Sequence, residues 1–161
     1  MPERLQSLEQ GLRLIGQGDR VDGLVLGMNR AAEKAAPAAR QIFGDAIAAM
    51  SIDDARRILS GPETAATDYF KGKTTPRLTT VFTPVVERSM DEVGVARQYK
   101  DLLAQAQAIP FFRAESYDLN RYVVGKSLDG LFHMVGQEER KIRKDPAART
   151  TDLLREVFSR R

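Results

Sequence analysis

The chain has no cysteine among its 161 residues. That excludes structural disulfides, thiolate chemistry and cysteine-based zinc sites. It has one histidine, His133, poor material for a zinc site without thiols. No stretch approaches the roughly 18 consecutive apolar residues needed to span a bilayer. Alternating strand patterns are nearly missing, as are fixed-period repeats and low-complexity tracts. Charge of one sign is also lacking, with 25 basic residues against 22 acidic ones, a net of +3. The signs are interspersed, so no strong field for a polyanion is set up and specific nucleic-acid binding is not expected.

What is present is a succession of helix starts and stops. Leu5, Leu8, Leu12 and Ile15 recur at helical spacing, and Gly16 and Gly18 close that run. Asp19, with Asp22 three positions on, suits the cap of a second helix carrying Val21, Leu24, Val25, Met28, Ala32 and Ala35. Pro37 breaks it. A continuation to Met50 turns Ile42, Phe43, Ala46 and Ile47 inward. Ser51 and Asp54 form a capping box for a short helix ending near Leu59. Pro62 suits a first helical position before a short helix over 63–71, and Thr75-Pro76 reads as the start of another. Residues 95–108 form a further helix, and 109–117 is the one β-leaning loop. Asp118 caps a long helix to about Lys144, Asp145-Pro146 turns the chain, and Thr150 or Thr151 caps a closing helix. The expectation is all-α: a compact single domain over 1–161, with seven to eight helices and one long helix in its C-terminal half. At this length folding buries roughly 70% of the unfolded surface.

Candidate chemistry concentrates in polar residues set into apolar stripes. The spacing of Leu128, Leu131, Val135 and Ile142 places Glu138 on their stripe, and Phe132, Val135 and Ile142 place Glu139 on its other shoulder, so at least one carboxylate is expected to be partly buried. A buried acid needs a partner, and Arg143, Arg149 and Arg30 are the candidates. Asn29 and Glu33, four apart, share a face of the second helix and with Arg30 suit a polar network between helices. Ion pairing and helix pinning explain these groups better than catalysis, so no catalytic residue, metal ligand or cofactor is assigned. His133 can pair with Asp129 one turn earlier. Ser127 lies on another face, so no local Ser-His-Asp set exists. The Gly72-Lys73 pair of FKGKTT lacks the earlier glycine and the preceding strand of a phosphate loop. Gly125, Gly130 and Gly136 each cost about 1 kcal/mol inside the long helix, which predicts close helix crossings there. Arg140, Lys141, Arg143, Lys144, Arg149, Arg155, Arg160 and Arg161 make a basic C-terminal end, diluted by acids. Ile109, Phe111 and Phe112 are the candidate exposed apolar patch.

Several strings are idiosyncratic: PERL at 2–5, MNRAAEKA at 28–35, DDARRILSG at 53–61 and AATDYF at 65–70. DLNRYV at 118–123, DGLF at 129–132 and EERKIRKDPAARTTDLLREVF at 138–158 continue them. In these the chain resembles the bacterial domain-of-unknown-function family 4197. The resemblance implies a helical protein of Gram-negative bacteria made with an export or lipoprotein signal ahead of this region. It also implies a periplasmic or envelope location, with the signal peptide removed. The start MPERLQSLEQ shows no export signal itself, so a cytoplasmic location is the alternative. The family brings no activity. Its recurrent polar positions fall on Asn29, Arg30, Glu33, Asp54, Thr67, Tyr69, Glu138, Glu139, Arg143, Arg149 and Asp152.

The leading expectation is a non-catalytic helical domain of the bacterial envelope that binds a protein partner or an apolar, lipid-like ligand, with homo-oligomers left open. One alternative is a carboxylate enzyme or metal protein using Glu33, Glu138 and Glu139. Another is weak polyanion binding by the basic end.

Overall fold

A computed structural model describes residues 3–14, 16–92, 94–107 and 118–159. Among them all regular structure is helical: α1 Glu3–Leu14, α2 Gly18–Ala35, α3 Ala39–Ala48, α4 Ile52–Ser60, α5 Ala65–Glu92, α6 Val95–Gln107, α7 Leu119–Lys144 and α8 Asp152–Ser159. Short 3-10 turns at Ala36–Ala38 and Pro146–Ala148 follow α2 and α7, at the two places where Pro37 and Pro146 remove a helical donor. The apolar patch expected at Ile109, Phe111 and Phe112 lies outside the described residues.

The chain divides into two compact units, one of residues 1–38 and 79–127, the other of 39–78 and 128–161. Helices α5 and α7 each contribute a part to either unit.

In the first unit α2 packs against α1 and α6, and its buried apolar residues share a core with Phe82, Val86 and Met90 of α5, Val95, Tyr99 and Leu102 of α6, and Leu119, Val123 and Val124 of α7. Ion pairs run along its surface. Arg13 reaches both Glu9 and Asp22, and Lys34 lies 2.8 Å from Glu92. Asp22 is therefore engaged by α1 and does not build the expected capping box. The residue before α2 is Gln17, with no side-chain cap. Left-handed Gly16 and Gly94, at φ 78° and 70°, stop α1 and α5 as only glycine does without strain.

The second unit packs Ala39 and Ile42 of α3, Thr67, Thr74 and Leu78 of α5, and Leu128 and Phe132 of α7. Phe43 bridges the aromatic rings, 5.4 Å from Phe70 and 6.1 Å from Phe132. The Ser51–Asp54 capping box forms as expected. Ile47 does not turn inward but is exposed, because five residues past Ile42 is about 140° round the helix.

The largest departure from expectation is α5. The break expected at Thr75-Pro76 is absent, and the helix runs unbroken through Pro76 and Pro84. The bond lost to Pro76 is the one to the Gly72 carbonyl, and Gly72 and Pro76 are both exposed, so water can serve that carbonyl. Just before Pro76 the hydroxyls of Thr74 and Thr75 donate to the Phe70 and Lys71 carbonyls, both at 2.6 Å. Burial of Thr74 and Leu78 holds the turn against the propensity of proline.

Candidate functional site

The most heavily bonded polar group of the second unit is the Glu139 carboxylate. The buried stripe of α7 runs through Leu128, Phe132 and Gly136 and sets Glu139 next in line. Glu138 is one residue, about 100°, out of that line. It is 56% exposed and pairs with Lys141, so the expectation that its position follows the apolar stripe is corrected.

Glu139 faces the first turn of α5. One oxygen accepts from the Ala66 N–H at 2.9 Å, the other from the Thr67 N–H at 2.8 Å and the Thr67 hydroxyl at 2.7 Å. These amides are among the donors a helix cannot satisfy within itself, and the helix dipole favours an anion there. Arg143, one turn on, donates twice to Glu139, from Nε at 2.9 Å and Nη2 at 2.8 Å. The same Nη2 donates to the Ile58 carbonyl at 2.8 Å, at the last turn of α4. The two side chains are 10% and 7% exposed. An i, i+4 pair on α7 thus gives an anion to the start of α5 and a cation to the end of α4, the sign each terminus prefers. Burial raises the pKa of Glu139, but the bonds from Ala66, Thr67 and Arg143 outweigh it and hold the carboxyl below its ordinary range.

The α4–α5 turn is shaped for this clasp. A Cβ on Gly61 would lie 2.7 Å from the Ala65 Cβ and 2.8 Å from the Arg57 carbonyl oxygen, so only glycine lets the two helices approach this closely. Pro62 sits in this turn, its carbonyl accepting from the Ala65 N–H at 3.1 Å, one turn ahead of the position expected. Gly136 is buried against Thr67, with room for a Cβ at 3.6 Å from the hydroxyl oxygen. Gly125 and Gly130 are exposed, and a Cβ there would meet nothing within 4 Å. Among the described residues the close crossings expected at these two glycines are absent, and nothing there explains them.

Arg143, not Arg149 or Arg30, is therefore the partner of the buried acid. Arg149 donates to the Ile142 and Arg143 carbonyls at 3.0 and 3.2 Å, capping α7. Both guanidiniums lie 5.7 Å from the Phe158 ring, anchoring α8. Asn29, Arg30 and Glu33 are exposed on α2 in the other unit. Nε2 of His133, an exposed residue, accepts from the Gln137 amide at 2.9 Å. Among the described residues no three of His, Asp and Glu cluster as metal ligands. In the basic C-terminal end Lys141, Lys144 and Arg155 pair with Glu138, Glu63 and Asp152.

Two grooves open on this unit. One, of about 260 Å³, lies between α5 and α7 beside Thr67, Lys71, His133 and Arg140. The other, of about 250 Å³, lies between α3 and α5, with Asp54 of α4 at its edge. Tyr69, Lys73 and Arg77, one helical turn apart, form a wall of the second. In the sequence Lys73 stands out only as part of the rejected phosphate loop, and nothing local marks Arg77. Their i, i+4 spacing was legible, but the alanines opposite them come from a helix that only the fold brings near.

Fold and site define an all-α protein in which the buried acid Glu139 is committed to joining helices. The chain belongs to the family described as protein of unknown function DUF4197, whose model matches residues 1–159. A search of curated proteins and one of solved structures returned no match. No helix among the described residues is long and apolar enough to cross a membrane.

Proposed function

We propose that the chain is a non-catalytic helical binding domain of the bacterial cell envelope, holding a partner or a small ligand rather than turning over a substrate. The saturation of Glu139 carries this reading. Two backbone amides, a hydroxyl and a guanidinium occupy its oxygens, leaving no open acceptor for a proton in transit or a metal ion. Glu138 is engaged at the surface by Lys141, and Glu33 belongs to the other unit. A general base needs reach to its substrate, and the arrangement here spends that reach on helix termini.

Binding is supported by the two grooves of the second unit and by large apolar side chains left in solvent, notably Ile52 at 73% and Leu153 at 70% exposure. The grooves fall just short of the roughly 300–1,000 Å³ of drug-sized sites. Their mixed lining favours a ligand with a charged group over a purely apolar one.

Native mass spectrometry of the protein purified from its own cells, with envelope and cytoplasmic fractions analysed apart, tests the reading. A co-purifying molecule or chain in the envelope fraction is expected. Bare protein confined to the cytoplasmic fraction would sink it. Calorimetric heat from magnesium, manganese or iron that vanishes in Glu139→Gln would restore the metal alternative.

A further inference from the structure

The charges around the α3–α5 groove cancel by formal count, with Asp45 and Asp54 against Lys73 and Arg77. Their hydrogen bonds do not cancel. Asp54 accepts from the Ser51 N–H, the Ser51 hydroxyl and Arg57. Asp45 accepts from the Gln41 amide at 2.9 Å and pairs with Arg77 at 2.6 Å. Both carboxyls are held below their ordinary range, Asp54 first by the Ser51 hydroxyl and Asp45 first by Gln41. Asp54 is thus satisfied by Ser51 and Arg57 from outside the groove, and Asp45 is shared between Gln41 outside it and Arg77 within it.

The donors are engaged less fully. Among the described residues Lys73 forms no ion pair; it lies 5.8 Å from the Tyr69 ring and near enough to Asp54 to help hold that carboxyl below its ordinary range. Arg77 commits one nitrogen to Asp45 and keeps the rest of its fork. The opposite wall is low: Ile42 and Ala46 on α3 and Ala49 just past its end, with Asp45 of the same helix paired to Arg77, and the two alanines leave the space that larger residues would fill. The groove therefore presents surplus N–H donors on one side and a small apolar shelf on the other.

We propose that this groove binds a small organic anion with a short apolar body. The anionic group sits between Lys73 and the free side of Arg77, where charge-assisted bonds are strongest. The body lies on Ile42, Ala46 and Ala49 beside the Tyr69 ring. At about 250 Å³ the space takes a metabolite-sized molecule rather than a lipid with full-length chains. This site rests on the binding reading above and gives its ligand a chemical class.

The test is an NMR titration of the full-length, 15N-labelled protein with hexanoate, with hexanol and inorganic phosphate as comparisons. Hexanoate should shift the amides of α3 and α5 around Ala46, Ala49, Lys73 and Arg77 saturably. Lys73→Met should weaken it about tenfold or more, with the thermal midpoint unchanged because Lys73 is exposed. Ala46→Phe, which fills the shelf, should abolish it.

Hexanol binding as tightly as hexanoate would overturn the proposal, since the anion would then contribute nothing. Phosphate competing at equal concentration from the same residues would also overturn it, since the shelf would contribute nothing. So would the lack of any saturable response. If hexanoate fails while a molecule still co-purifies from cells, the groove is refuted and the binding reading stands. If neither is seen, both fall.

Discussion

Replacing Arg143 with alanine perturbs the clasp at its centre. The guanidinium holds Glu139 with two nitrogens, reaches the Ile58 carbonyl at the end of α4, and lies over the Phe158 ring. With both partners nearly enclosed, at 7% and 10% exposure, solvent screens the loss little. Removing one partner of a buried pair costs about 3–5 kcal/mol. Glu139 would keep the Ala66 and Thr67 donors, which pulls the figure down. The lost donor at Ile58 and the lost cation at Phe158 push it back up, so about 3–5 kcal/mol is expected for Arg143→Ala. A chain of two compact units need not unfold in a single step. Urea denaturation should therefore be read together with amide exchange at Ala66 and Thr67, whose N–H groups report the clasp directly. In Arg143→Ala their protection should fall while amides in the first unit change little. Lys141→Ala serves as control, because its exposed pair with Glu138 should contribute less than about 1 kcal/mol. A loss below about 1 kcal/mol for Arg143→Ala would show that the acid is held by the helix terminus alone and that the pairing argument is wrong.

Acid should weaken the second unit through Glu139. Its folded pKa is lowered, so its contribution is complete above the unfolded value, about 4.3, and is lost as pH falls through the lower folded value. Asp22, Asp45, Asp54 and Glu92 are lowered too. The readout is therefore the difference between wild type and Glu139→Gln, which should shrink below pH 4.3; a difference constant with pH would contradict the assignment. Arg149→Ala removes bonds to two α7 carbonyls but leaves Glu139 paired, so it should cost about 1–2 kcal/mol; a cost equal to that of Arg143→Ala would mean the two arginines share the acid. Gly125→Ala and Gly130→Ala should each stabilise by about 0.5–1 kcal/mol, since a Cβ meets nothing there; thermal midpoints that fall would reveal a contact that the structure does not show. Gly61→Ala should destabilise despite an ordinary φ of −80°, because the Cβ would strike the Arg57 carbonyl and the Ala65 Cβ; an unchanged denaturation midpoint would show that the turn opens freely.

Local signals carried the helix plan a long way. The Ser51–Asp54 box, the Asp118 cap with its bond to the Arg121 N–H, the Asp145-Pro146 turn and the Thr151 cap are all realised. Each depends on side chains two or three residues from the backbone they serve, so sequence order alone places donor beside acceptor. The α7 helix, ending at Lys144 as expected, was legible for the same reason, and so was a buried acid on it with an arginine one turn away.

Where local signals competed with long-range packing, the sequence misled. Proline propensity argued for a break at Pro76, yet buried Thr74 and Leu78 carried α5 through it. Apolar spacing pointed as readily to Glu138 as to Glu139, because both flank the stripe within one residue. Only the seating of Gly136 against Thr67 rotates α7 so that Glu139 meets the first amides of α5. The chain by itself determined a set of helices, their caps and an ionic pair in need of cover. Tertiary structure decided which acid is covered, which helix ends it joins, and that Lys73 and Arg77 face a shelf of alanines. Those are contacts between residues tens of positions apart, and their energies arise only once the helices have packed.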